Sequence, residues 1–316
     1  MVIIVVSAKK FSWKRIPVII ITVLFIFSTL SLVVTKVVYD SIFSRYDAQT
    51  NIPDALSATA ERRSIHQFAS GDNMLTGYHY PGKTPENVHG LIVLVPGFQA
   101  GGDGYLWQIS SLLEYGWAVF TFDVTGTFRS QGEDQIGFSQ PVLDLEAALD
   151  YIRENQLFGC EELILMGHSQ GGYAVCCALA QQPDVAAVVS ISGINSAMEG
   201  VMHMSSQTMG RVAYGNYGFL WLYQVMLFGE NVLSLKAADA ISQSDVPVLV
   251  VHGTQDEQVP LDTCSVISHK EQITSDRVEY LLRPAGHTDL MYDADGTAND
   301  ELMQSIHGFL MRCLDK

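Results

Sequence analysis

Gly167-His168-Ser169-Gln170-Gly171 follows the apolar run Glu162-Leu163-Ile164-Leu165-Met166 and precedes the helix-like stretch from Gly172 to Ala180. Strand, tight turn and helix with a serine at the turn is the local architecture that exposes a nucleophilic hydroxyl above a sheet. The flanking glycines admit a strained backbone and keep the neighbours thin. By composition alone the bare Gly-x-Ser-x-Gly pattern arises by accident on the order of 0.1 times in a chain this long, so its context has to carry the argument. A serine hydroxyl needs a base within hydrogen-bond reach and a third group to orient that base. Asp256 follows the apolar run ending at Val251, in the loop His252-Gly253-Thr254-Gln255-Asp256, and His287 lies in Ala285-Gly286-His287 just after a further strand-like run. Read together, Ser169 is the expected nucleophile, His287 the general base and Asp256 the orienting acid.

The other histidines fit the base role less well. His168 is adjacent to the serine and must point elsewhere, and His252 ends a strand where it packs against the Asp256 loop. Asp289 and Glu257 are the rival acids, and Asp289, two residues from His287, reads as turn-forming or solvated. Negative charge developing on an attacked carbonyl calls for two backbone N–H groups. Gln170, the residue after the serine, supplies one. Pro96-Gly97-Phe98-Gln99, after the Leu91–Val95 run, supplies the other, with Phe98 the expected donor and Gln99 its runner-up. Gly101, Gly102 and Gly104 match no phosphate-binding pattern and read as clearance above the serine.

These groups require a scaffold that brings distant loops to one edge. Short, almost wholly apolar runs at Leu91–Val95, Ala118–Phe122, Leu163–Met166, Ala186–Ile191, Val248–Val251 and Val278–Leu282 alternate with helical stretches, the pattern of a mostly parallel sheet covered on both faces. Residues 65–69 and 74–80 flank Ser70-Gly71-Asp72-Asn73 as a hairpin, and a helix is expected over 299–314. Residues 195–240, rich in methionine and aromatics, interrupt the alternation and read as a helical cap, a few of whose side chains should face Ser169 and favour hydrophobic substrates.

Ile16–Thr35 carries no charge, and about 20 helical residues span the roughly 30 Å of a bilayer's hydrocarbon core. The expected division is a cytoplasmic segment 1–15, a transmembrane anchor 16–38, a linker 39–61 and a catalytic domain 62–316. Lys9, Lys10, Lys14 and Arg15 before the apolar run place the preceding residues in the cytoplasm and the domain outside it, in a single-pass cell-membrane protein. A cleaved signal peptide is the competing reading, weakened by the length of the apolar run. A net charge of -16 over 316 residues, with no basic stripe, excludes nucleic acid as an expected partner. Five cysteines without regular spacing (Cys160, Cys176, Cys177, Cys264 and Cys313) argue for buried thiols rather than a disulfide framework or a metal site.

The chain from about Ser64 onward resembles the α/β-hydrolase superfamily, through Pro96-Gly97-Phe98, Gly167-His168-Ser169-Gln170-Gly171, His252-Gly253-Thr254-Gln255-Asp256 and Gly286-His287. Within it the chain is most similar to bacterial membrane-anchored hydrolases near the monoglyceride-lipase and serine-aminopeptidase-like groups. Asp123 to Gly132 is similar to a further family stretch, with Phe128 at a usual glycine, which predicts a bulkier pocket wall. The resemblance implies an α/β-hydrolase fold with the cap inserted before the strand that precedes Asp256. It also implies two-step acyl transfer on a carboxylic ester without cofactor or metal, on a small-molecule ester or lipid-like substrate. A peptidase on the same residues, with Glu199 or Glu230 binding an amine, and a non-catalytic membrane-tethered binding protein are the alternatives.

Overall fold

The computed structural model describes residues 15–48, 51–84, 88–155, 162–182 and 184–314. Lys9, Lys10, Lys14 and Cys160, and with them all but Arg15 of the segment expected in the cytoplasm, lie outside the described residues.

Eight strands form one sheet. β1 (Ser64–Ser70) and β2 (Asn73–Tyr80) make the expected hairpin through Gly71 and Asp72. β3 (Leu91–Val95), β4 (Ala118–Phe122), β5 (Leu163–His168), β6 (Ala187–Ile191), β7 (Val248–Gly253) and β8 (Val278–Arg283) are parallel, and the spatial order is β1-β2-β4-β3-β5-β6-β7-β8. Every residue of β3, β4, β6 and β7 is buried, as apolar runs without polar alternation require. Successive side chains still go to opposite faces. Leu91, Val93 and Val95 join a core layer with α4 (Gln140–Glu154) and α5 (Gln170–Ala178), while Ile92 and Leu94 join one with α3 (Leu106–Glu114) and α10 (Asp300–Leu314).

The insertion between β6 and β7 is helical, as expected: α6 (Ala197–Met209), α7 (Val212–Gly215), α8 (Tyr217–Leu233) and α9 (Ala237–Ser242). Ser196 opens α6 by accepting the Glu199 N–H, which satisfies one of the unpaired donors of its first turn.

The long apolar helix runs over Ile16–Ile42, here termed the anchor helix, with a mean hydropathy of 2.7 over its most apolar stretch and almost no buried surface there. Its length of about 40 Å at about 1.5 Å per residue is sufficient to cross a bilayer. Residues 39–61, expected as a linker, begin inside this helix and pack against the rest of the fold. Tyr39 and Phe43 are buried, and Arg45 donates to the carbonyls of Phe128, Ser130 and Gly132. Tyr46 exchanges backbone hydrogen bonds with Gly126 and Phe128. Three aromatic side chains at 39, 43 and 46 supply apolar surface that the fold covers, so this stretch is part of the domain. A short helix at Ser57–Glu61, with Leu56 buried beside it, follows.

Candidate active site

Ser169 is the single residue between β5 and α5. Its backbone sits at φ 58° and ψ -118°, a conformation that costs a side-chain-bearing residue about 1–3 kcal/mol and is held only when its surroundings impose it. The surroundings are explicit. Ser169 N–H donates to the Ile191 carbonyl at 2.8 Å, pinning the turn to the end of β6. A Cβ on Gly167 would strike the Gly171 backbone, and one on Gly171 would strike the Val95 carbonyl, so both glycines are demanded by the close approach of β5, α5 and β3.

His287 and Asp256 meet as expected from loops after β8 and β7. The His287 Nδ1–H donates to Asp256 Oδ2 at 2.7 Å, and both side chains are buried. The other carboxylate oxygen accepts the N–H groups of Gln258 at 3.0 Å and Val259 at 2.8 Å. Burial opposes the Asp256 charge, but hydrogen bonds from His252 and His287 and from the Val259 backbone outweigh it and hold the carboxyl well below the usual range. His252 also bonds the Val259 carbonyl at 2.9 Å, so it packs on the Asp256 loop as its position implied.

Ser169 and His287 share the lining of one cavity of about 240 Å³ with Gly97, Phe98, Tyr105, Met291 and Tyr292. No hydrogen bond joins Ser169 Oγ to His287 among the described residues. Catalytic contacts of this kind often tighten only around substrate. The Gln170 N–H is the first of α5 and has no intrahelical acceptor. Phe98 follows Gly97 in a turn closed by Ala100 N–H to the Gly97 carbonyl at 3.1 Å, with Gln99 at φ 57°. Phe98 and Ser169 both border the cavity, while Gln170 is buried beside the serine.

Two expectations about the walls change. None of the cap residues lines the Ser169 cavity. Met198, Met202, Tyr214, Tyr217 and Trp221 instead border a separate cavity of about 550 Å³ within the cap. Phe128 lines a third cavity, with Arg45, Asp47 and Asp123, and its ring meets Tyr46. Phe128 therefore does not form the wall of the Ser169 cavity.

A hydrogen-bonded chain that the sequence did not disclose crosses beneath the site. Gly97 N–H donates to the Tyr105 hydroxyl at 2.8 Å, and this hydroxyl lies 2.9 Å from His168 Nδ1. His168 Nε2 lies 3.2 Å from the His287 carbonyl, which also accepts from Ser192 Oγ. A carbonyl can only accept, so His168 carries its proton on Nε2 and Nδ1 accepts from Tyr105. Burial, then the neighbouring His287, lower His168 to about 3, so it is a neutral strut. A histidine before a serine gives no spacing signal for this role, because Tyr105 lies 63 residues away.

Of the residues offered for an amine-binding pocket, Glu199 is engaged by Asn195 and His269, and Glu230 borders the cap cavity rather than the serine. Among the described residues no cluster of histidine, cysteine and carboxylate is suited to a metal ion. Cys176, Cys177 and Cys264 are buried, with thiols pushed up by desolvation.

A family model for the alpha/beta hydrolase fold matches residues 90–220, which hold the Phe98 turn, the serine turn and most of the cap. The structure of the Pyrococcus furiosus esterase Pf2001 superposes with a TM-score of 0.64 at 15% identity, covering 85% of this chain and 98% of that one. The chain has the α/β-hydrolase fold. Among similar sequences, the uncharacterized protein YfhR of Salmonella typhimurium is 28% identical over 207 residues, 64% of this chain and 66% of that protein. The alignment thus spans just under two thirds of that relative's length. Bis(hydroxyethyl) terephthalate hydrolase of Streptomyces coelicolor is 30% identical over 121 residues, 37% of each chain. On this α/β-hydrolase fold, Ser169, Asp256 and His287 follow β5, β7 and β8 in that chain order.

Proposed function

We propose that the protein is a serine esterase cleaving carboxylic esters with a hydrophobic acyl or alcohol group, tethered to the cell membrane by the anchor helix with its catalytic domain outside the cytoplasm. The observation that carries the reading is the 2.7 Å His287–Asp256 hydrogen bond beside a strained serine that opens into the same cavity. His287 takes the Ser169 proton as the hydroxyl attacks the ester carbonyl, and then returns it to the leaving alcohol. Asp256 keeps the imidazole in the tautomer that presents Nε2 to the serine and stabilises the imidazolium. The N–H groups of Phe98 and Gln170 receive the oxyanion, the latter aided by the positive end of α5. Water, deprotonated by the same histidine, then releases the acyl group from Ser169.

The hydrolase named for bis(hydroxyethyl) terephthalate and the Pyrococcus esterase support ester chemistry. The serine cavity is smaller than the about 300–1,000 Å³ of drug-sized ligand sites, which favours short acyl groups over long ones. The test is fluorophosphonate labelling of the full chain in detergent beside its Ser169→Ala variant, with p-nitrophenyl esters from acetate to palmitate. Labelling and turnover that vanish in the variant, with rates falling toward long chains, are expected. A folded chain that resists the probe overturns the reading. Protection of the domain from protease in intact cells, lost only on lysis, overturns its placement outside the cytoplasm.

A further inference from the structure

Phe43, the residue that ends the anchor helix, is only 1% exposed, and its ring lies 5.3 Å from that of Phe98, edge to face. Phe138 closes the group, 5.1 Å from Phe43 and 5.4 Å from Phe98. Three rings thus meet pairwise at steep angles, the geometry in which ring edges and faces attract. Phe98 lines the serine cavity and is the oxyanion donor proposed above, and its turn carries Gln99 in a left-handed conformation. Such a turn needs outside support to hold its shape.

Phe43 is itself clamped. Its N–H donates to the Tyr39 carbonyl at 3.0 Å, and its carbonyl accepts the Gln135 N–H at 2.6 Å. On its far side the Tyr39 ring packs at 4.6 Å, and Tyr39 in turn meets Tyr223 of α8 at 5.3 Å. Tyr223 donates to Asp40, and Asn216 to Thr35, so the cap is fastened to the same two turns of the anchor helix. A continuous row of rings, Tyr223, Tyr39, Phe43 and Phe98, therefore joins the cap to the turn beside the nucleophile through the end of the anchor helix.

We propose that Phe43 is a positioning residue for hydrolysis: it fixes the Phe98 turn so that the Phe98 N–H points at the oxyanion, making the end of the anchor helix a working part of the active site. This rests on the serine-hydrolase reading above. A ring lost from behind a donor lets the donor drift, and drift weakens transition-state binding while leaving substrate binding in place.

The experiment uses the full chain in detergent micelles and compares Phe43→Ala and Phe43→Leu with Phe68→Ala. Phe68 is a buried phenylalanine whose ring packs on Phe120, Phe122 and Tyr151 instead of on Phe98. Steady-state turnover of p-nitrophenyl butyrate and affinity for a trifluoromethyl ketone, which forms an oxyanion adduct on the serine, are measured below the melting temperature of each variant. Phe43→Ala is expected to lower kcat about tenfold and the ketone affinity in parallel, with KM within about twofold; this is part of the about 10²–10³ lost when a whole oxyanion donor is removed. Phe43→Leu, which keeps apolar volume without ring edges, is expected in between, and it decides the matter should the alanine variant not fold. Phe68→Ala should lose stability without losing ketone affinity. Unchanged kcat in both Phe43 variants, or an equal loss of ketone affinity in Phe68→Ala, overturns the positioning role. If the unsubstituted chain is folded but not labelled at Ser169, the hydrolase reading fails instead, and the two failures are distinct.

Discussion

At the scale of single residues, the site is held by a hydrogen-bonded chain that joins the Phe98 turn to the base. The Tyr105 hydroxyl accepts from Gly97 and donates to His168, and His168 donates to the His287 carbonyl, so one phenol links the Phe98 turn to the base. Tyr105→Phe leaves a buried N–H and a buried imidazole nitrogen unpaired. A loss of about 1–3 kcal/mol in urea unfolding is expected, together with a several-fold lower kcat. Unchanged unfolding would show that neither bond matters. His168 also has a pH signature. Its value falls from 6.5 to about 3 on burial, so the unfolded chain takes up a proton there that the folded chain refuses. Stability contributed by the neutral form is therefore complete above the unfolded value of about 6.5. It declines by up to about 1.4 kcal/mol per unit as pH falls toward the folded value. His168→Gln removes this one proton from the balance, so the gap between wild type and variant should shrink between neutral pH and pH 5 in urea titrations. A constant gap would mean that the histidine takes up its proton equally in the folded and unfolded chains.

At the scale of elements, the strand, turn and helix around Ser169 read cleanly from sequence because backbone contact dictates them. A methyl group on Gly171 would meet the Val95 carbonyl, a rigid neighbour in β3 that cannot move without breaking the sheet. Gly171→Ala is expected to destabilise the fold by more than about 3 kcal/mol, at the severe end for a single substitution. The check is a lowered melting temperature, with fluorophosphonate labelling lost even in the fraction that remains folded. Near-native labelling would mean that α5 can shift outward. The cap was legible only as a helical insertion. Its methionines and aromatics gave no direction: the structure sets Met198, Met202, Tyr214, Tyr217 and Trp221 around a cavity of the cap, and Phe219 and Tyr223 against the anchor helix, rather than lining the Ser169 cavity. Amphipathic pattern reports that a face is buried, and it cannot say against which neighbour.

Across the whole molecule, what the sequence disclosed and what it hid follow from contact range. Ser169, Asp256 and His287 each stand just after a strand of one parallel sheet, and parallel topology delivers those loops to a common edge, so the His287–Asp256 hydrogen bond and the cavity that His287 shares with Ser169 follow from spacing alone. The boundary at residue 62 was not, because residues 39–47 look like a mixed-polarity linker while their partners lie at Phe98, Phe128–Gly132, Gln135 and Tyr223, far along the chain. Each buried aromatic side chain there is worth about 1.5–3 kcal/mol of apolar transfer, and Arg45 adds hydrogen bonds to three carbonyls. A chain beginning at residue 62 gives up Tyr39, Phe43 and Arg45 together and bares Phe98 and Phe138. It is expected to melt at least about 10 °C below a chain beginning at Lys36, since about 1 kcal/mol shifts a domain of this size by roughly 2–4 °C, and to bind a hydrophobic dye that the longer chain excludes. Both chains lack most of the apolar run, so the comparison isolates residues 36–61 from any effect of the anchor. Equal melting temperatures would return those residues to the role of a tether and leave the domain complete from residue 62.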